Sequence, residues 1–177
     1  MMRIRLSAVL AVAVLLSGCG FHLRGRIALP EDLGPVRVET STAYSELTTL
    51  LERGLQAAGA TPATEDAPGE VATLHILSER WGDLPIAIDQ FGRAQEFSLR
   101  YAVVFAFRRA DGSALVPQQV VEMSRDYVSP PEDATGTTTE REILADELRR
   151  EMATSILRRI DGVVRAGTVP PVAPPQP

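Results

Sequence analysis

The stretch that decides the fold is Glu96-Phe97-Ser98-Leu99-Arg100-Tyr101-Ala102-Val103-Val104-Phe105-Ala106-Phe107-Arg108. Its odd positions, Phe97, Leu99, Tyr101, Val103, Phe105 and Phe107, are bulky and apolar. Its even positions are polar, charged or small, with Val104 the largest apolar exception. A period of two sends successive side chains to opposite faces of a sheet, so this is a strand with one covered face and one that meets solvent or a partner. At about 3.3 Å per residue it spans roughly 40 Å, long for a small domain.

Upstream, Asp89-Gln90-Phe91-Gly92-Arg93 supplies turn chemistry for a hairpin, and Val71 to Trp81 suits the strand before it. The alternation there is imperfect, and Gly82 with Pro85 implies a bulge or an edge position. Thr61 to Glu70 is rich in Pro, Thr and acids and reads as a loop. Leu47, Leu50, Leu51, Leu55 and Ala58 form one stripe of a helix that ends at Gly59, with Ser41 or Thr42 as its cap. Gly54 interrupts that helix at a cost of about 1 kcal/mol, so packing must stabilise it. Before it, Val36 to Glu39 alternates like a brief strand.

Downstream, Asp111-Gly112 closes a second hairpin and Gln118 to Val128 returns beside the long strand. Ser129 to Thr138 reads as a loop, and Thr139-Glu140-Arg141-Glu142 has capping-box spacing. Leu144, Leu148, Met152, Ile156 and Ile160 then repeat every four residues until Gly162. The Pro-rich end, residues 165–177, lacks apolar periodicity and is expected to be disordered. The order β-α-β-β-β-α predicts an α+β domain over residues 36–164. It is a mixed four-stranded sheet with both helices packed on one face, its first two strands parallel or separated by an inserted strand.

Composition narrows the chemistry. The chain of 177 residues, 45% apolar and 23% charged, suffices for one domain with a buried core. All 18 basic residues are Arg. Without Lys there is no Schiff base, no pyridoxal site and no P-loop. Cys19 is the sole cysteine, which excludes an internal disulfide and Cys-rich zinc sites. A net charge of −5 gives no nucleic-acid footprint. His22 and His75 are the only histidines. On a regular strand His75 and Glu79 share a face while Ser78 points away, so no Ser-His-acid relay forms and His75 is read as structural. Glu96, Glu122 and Asp126 are scattered acids without catalytic or metal-binding spacing. No catalytic, metal or cofactor residue is assigned.

Residues 1–18 carry Arg3 and Arg5 and then an apolar run from Leu6 to Leu16, about 16 Å as a helix and too short to span a bilayer. They read as a removable signal segment. Leu16-Ser17-Gly18-Cys19 resembles the lipobox of bacterial lipoproteins, in which the cysteine thiol receives a diacylglycerol and the new amino terminus a further acyl chain. Such an anchor is effectively permanent, at about 0.8 kcal/mol per buried methylene. Residues 19–35 then read as a lipidated tether. Gly20 in place of Asp favours the outer membrane, by analogy with enteric lipoproteins.

Cys19-Gly20-Phe21-His22-Leu23-Arg24, the Gly92-Arg93-x-x-Glu96-Phe97 entry to the long strand, Arg125-Asp126-Tyr127 and Ile156-Leu157-Arg158-Arg159 stand in an order and spacing that resemble the LptE family of lipopolysaccharide-assembly lipoproteins. The resemblance covers about residues 19 to 162. It implies a sheet with two helices that plugs the β-barrel of LptD one to one in the outer membrane, supports its assembly and binds lipopolysaccharide. Arg recognises phosphate bidentately, which makes Arg93, Arg100, Arg108 and Arg125 the candidates for lipid A, with Arg93 and Arg125 foremost. The competing expectation is that these arginines pair with Glu96, Glu122 and Asp126. Family members often carry a basic residue before the last helix, where this chain has Gly136-Thr137-Thr138. Two other readings remain open: a barrel-stabilising lipoprotein without glycolipid affinity, and a lipid-anchored periplasmic enzyme.

Overall fold

The computed structural model describes residues 27–42, 44–64, 71–129 and 134–168. The signal segment, Cys19 and the final nine residues lie outside them. Five strands and two helices follow in the order β1 (Pro35–Thr40), α1 (Glu46–Ala57), β2 (Thr61–Pro62), β3 (Ala72–Ile88), β4 (Ala94–Arg108), β5 (Ala114–Val128) and α2 (Ala134–Thr168). One sheet has the strand order β2-β1-β3-β4-β5. β2, β1 and β3 are parallel, and β3, β4 and β5 form an antiparallel meander.

This is the expected α+β architecture with one strand more. The fifth strand, β2, has two residues and sits where sequence alone predicts a loop. Ala63 N donates to Val36 O at 2.9 Å and the Arg37 guanidinium to Thr64 O at 3.2 Å, which docks the segment on the outer edge of β1. Two residues are too few to leave a period.

The odd residues of β4 from Leu99 to Phe107 are all buried, and they meet Leu47, Leu51 and Leu55 of α1 and Leu148, Met152, Ile156 and Ile160 of α2 in one core. Register carries the same face into β3 and β5, through Trp81 beside Tyr101 and Val121 beside Val103. In β3 it does so only because a register shift falls between Ile76 and Ser78. Leu74 and Ile76 are core residues below the bulge, whereas Glu79, Trp81 and Asp83 face the helices above it. That extra residue explains the imperfect alternation, and it overturns the placement of His75 and Glu79 on one face. β3 also continues past Trp81 to Ile88, with further shifts after Pro85.

Several boundaries move. Ser45, rather than Ser41 or Thr42, stands at the amino end of α1, and it makes no side-chain cap bond. α2 begins at Ala134, so Thr139 to Glu142 lies within the helix and not at its start. Within that stretch Arg141 is bound to Asp83 of β3, a tertiary contact in mid-helix. At its far end α2 runs past Gly162, since Val164 is buried and Asp161 accepts a bond from Ala28 N at 2.6 Å. Residues 165–168, expected in the disordered end, therefore belong to the helix. Part of the expected tether is also packed: Leu33 is buried, and Ile27, Ala28 and Leu29 lie against the core.

Gly54 has a packing reason. A Cβ there would stand 2.3 Å from Leu157 Cδ1, so the missing side chain lets α1 and α2 approach. Gly54→Ala gains about 1 kcal/mol of helix propensity but forces strain of about 1–3 kcal/mol at the buried Leu157. Urea unfolding will show equal or lower stability for the variant; a clear gain contradicts this packing.

Candidate functional site

Both helices lie on one side of the sheet, so its other face is open among the described residues. Even residues of β4 and, from Val120 to Val128, of β5 form that face, together with Arg37 and Glu39 of β1 and His75 and Arg80 of β3. Its charges are partly paired. Arg100 lies 3.7 Å from Glu122, Arg37 is 3.8 Å from Glu39, and His75 Nδ1 is 3.3 Å from the same carboxylate. Between them stand the exposed side chains of Leu84, Val120 and Val128. The face is thus mixed, and more apolar than the long strand alone suggests.

The four candidate arginines do not converge. Arg93 stands at the β3–β4 hairpin, where Gly92 takes a φ of 76° to close the turn. Asp89 organises that turn. Its Oδ1 accepts from Phe91 N at 2.8 Å and Arg93 N at 2.9 Å, and its Oδ2 from Arg93 Nε at 2.8 Å. The Arg93 backbone amide, ahead of its guanidinium, holds the Asp89 carboxyl down at about 2. The guanidinium carbon lies 5.4 Å from the Phe91 ring centroid, and half of the side chain is exposed. Arg108 sits at the opposite end of β4, bonded to Gly112 O at 3.4 Å. Some 15 residue steps separate the two, about 50 Å, so they cannot hold one phosphate.

Arg100 is on the open face, whereas Arg125, in register with Leu99, is on the helix face. Arg125 Nη2 lies 2.5 Å from Glu151 Oε2 on α2, and its Nη1 donates to Ser124 O at 2.9 Å. Of the expected pairings, only Arg100 with Glu122 forms; Arg93 and Arg125 take Asp89 and Glu151 instead. Glu151 depends on the helix docking, which residue spacing does not show, whereas Asp89 lies in the hairpin turn that the sequence predicts, four residues before Arg93.

Two polar clusters escaped the sequence reading. In one, Asp83 accepts from Arg141 Nε at 2.9 Å, Arg141 Nη2 at 2.8 Å and Tyr127 Oη at 3.0 Å. The Arg141 bonds hold the Asp83 carboxyl below its ordinary range, and burial with the Asp83 bond pushes the Tyr127 hydroxyl up. In the other, Glu79 accepts from Tyr101 Oη and from Ser45 Oγ, both at 2.6 Å. Burial, then Glu79, raises the Tyr101 hydroxyl far above its usual range. Trp81 stacks on Tyr101 at 3.8 Å, and Arg149, 3.0 Å from Glu46, covers the indole at 5.3 Å. These clusters tie β3 to the helices across the bulge, so only someone who knew the Leu77 register shift could have found them. Among the described residues no set of His, Cys, Asp and Glu could hold a metal ion, and no helix is long and apolar enough to cross a membrane.

The same two-layer sheet and helix arrangement occurs in solved lipoproteins. The rare lipoprotein B of Shewanella oneidensis superposes with a TM-score of 0.65 at 24% identity, over 77% of this chain and 100% of that one. Lipoprotein B of Nitrosomonas europaea gives 0.67 at 23% identity, over 84% and 94%. In sequence, the chain is 28% identical to the LPS-assembly lipoprotein LptE of Photorhabdus laumondii over 156 residues, 88% of this chain and 84% of that protein. It is 27% identical to LptE of Pectobacterium atrosepticum over 161 residues, 90% and 86%. The family model described as LptE, lipopolysaccharide-assembly, matches residues 33–160, from the buried Leu33 to the buried Ile160 of α2. The fold is thus that of an envelope lipoprotein domain. The chain belongs to the LptE family, which is not a known enzyme family.

The Asp83 latch carries a pH signature. A folded carboxyl held below its unfolded value of about 4 stabilises the fold fully above that value, and the contribution disappears as pH falls through the lower folded one. Both side chains are about one-third exposed, which limits the pair to about 1 kcal/mol. Asp83→Asn is expected to lower stability by that amount at pH 7, and the gap to wild type closes below about pH 4. Chemical unfolding across pH measures it, and a gap that persists to pH 2 contradicts the latch.

Proposed function

We propose that the protein is an outer-membrane lipoprotein acylated at Cys19. It plugs the LptD β-barrel one to one, supports assembly of that barrel, and takes part in transport and insertion of lipopolysaccharide, which it binds. Membership of the LptE family supports the assembly role. The observation that carries the plug reading is the open face of the sheet, backed by two helices and running the length of β4, about 46 Å. Barrel interiors are polar, and a wall of Arg–Glu pairs with scattered apolar side chains suits such a lumen. Only eight residue steps separate Cys19 from Ile27, at most about 29 Å of extended chain. An acyl anchor at Cys19 therefore keeps the end of the domain that bears Ala28 and Asp161 near the membrane.

For lipid A phosphates, Arg93 is the foremost residue, since its hairpin position leaves the guanidinium half exposed beside an aromatic ring. Arg125 must leave Glu151 to contribute, and Arg100 must leave Glu122. One preparation tests both parts. Mild solubilisation of the outer membrane should release this protein with a large β-barrel at equal stoichiometry. The Arg93→Ala, Arg125→Ala double variant should form the same complex but retain roughly tenfold less lipopolysaccharide. Recovery of a lone monomer overturns the plug; unchanged lipopolysaccharide retention by the double variant overturns the assignment to Arg93 and Arg125, and only a wild-type protein without lipopolysaccharide affinity is left with a purely structural role in the barrel.

A further inference from the structure

The outer edge of β3 is open over its upper half. β1 pairs with β3 only as far as Thr40 beside Ile76, and among the described residues no strand pairs with that edge further on. The direction of the free backbone groups follows from the ladder. Ser129 N donates to Gln95 O at 2.8 Å, so odd residues of β4 bond to β5 and even ones to β3. Ser78, Arg80, Gly82 and Leu84 stand beside Val104, Ala102, Arg100 and Ser98 and are therefore the residues of β3 that bond inward. Glu79, Trp81 and Asp83 aim N–H and C=O at the open edge, and Pro85 aims a carbonyl there. The N–H that Pro85 lacks would have faced outward, which is where an edge strand tolerates proline.

The same stretch exposes Leu77, Leu84, Ile86 and Ile88. Backbone donors and acceptors at strand spacing, flanked by apolar side chains, are matched by another extended backbone, and neither a phosphate nor an acyl chain can satisfy them. Charge narrows the occupant. Arg80 is exposed, and among the described residues no acid pairs with it. A second copy cannot supply one. Any two-fold pairing of this edge places Arg80 among Ser78, Arg80, Gly82 and Leu84 of its mate, the residues that share its face.

We propose that the edge from Glu79 to Pro85 takes one extended strand of a different polypeptide, which presents an acid opposite Arg80 and an apolar residue opposite Leu84. For the source of that strand the inference rests on the barrel-plug reading: the barrel protein supplies it. Backbone bonds along Glu79, Trp81 and Asp83 provide the affinity, and Arg80 and Leu84 set the register.

Residue-resolved hydrogen exchange on the isolated protein and on the complex from solubilised outer membrane tests this directly. In the isolated protein the amides of Glu79, Trp81 and Asp83 should exchange fast while those of Arg80 and Gly82 are slow. In the complex the three odd amides should slow by about 100-fold. Arg80→Glu should weaken the complex about tenfold, and Arg80→Gln by less. A complex whose odd amides still exchange fast, or that ignores Arg80→Glu, overturns strand addition and leaves the plug intact. Failure to isolate any complex overturns both. Odd amides already protected in an isolated dimer would assign the edge to a second copy and also overturn the proposal.

Discussion

Burial of the odd residues of β4 beneath two helices is the constraint that every other part of this molecule obeys. Leu99, Tyr101, Val103, Phe105 and Phe107 each lose nearly all contact with water. Each is worth about 1.5–3 kcal/mol when buried, so a one-residue slip would turn the whole set to solvent. Neighbouring strands must therefore keep pace with β4. β3 does so through the bulge at Leu77, which carries Trp81 onto Tyr101 and Asp83 toward Arg141. Without that extra residue, Glu79 and Asp83 would stand on the open face, and neither polar cluster could form.

The long strand, both hairpins and the two helical stripes were all legible, because each is a period or a turn signature contained in a short window; the helical crossover left parallel pairing of the first strands as one of two options, and the ladder shows it. Three things were not. The face of Glu79 depends on a bulge whose position is set by the register against β4. The start of α2 at Ala134 precedes the capping-box spacing at Thr139, and Ser129 to Thr138 carries no apolar period that would announce it. The partner of Arg125 depends on a docked helix, and that of Arg93 escapes although its turn is legible, because Asp89 reads as a turn residue and not as an ion-pair partner. Residue type identified these arginines as candidates, but only the register shows that Arg100 and Arg125 are on opposite faces of the sheet.

That separation shapes the functional account. A single phosphate-binding pocket built from all four arginines is geometrically impossible. What the fold offers instead is a long, open sheet face, a hairpin tip with one half-exposed guanidinium, and an unpaired strand edge. Surfaces of this kind serve assembly better than turnover, in keeping with the family to which the chain belongs. The helices stiffen the back of the sheet through the Glu79 and Asp83 clusters, so the open face is presented as a rigid wall and its side chains need little ordering when a partner covers it.

A face that a partner covers in the envelope, as proposed for the one the helices leave bare, must be reachable from water in the purified protein and shielded in the membrane. Ser124 is exposed on that face, in register with Arg100. A Ser124→Cys variant treated with a water-soluble maleimide should label readily as purified protein and resist labelling in intact outer membranes, while unfolding in urea restores full reaction. Equal labelling in the purified and the membrane-held protein would contradict the account.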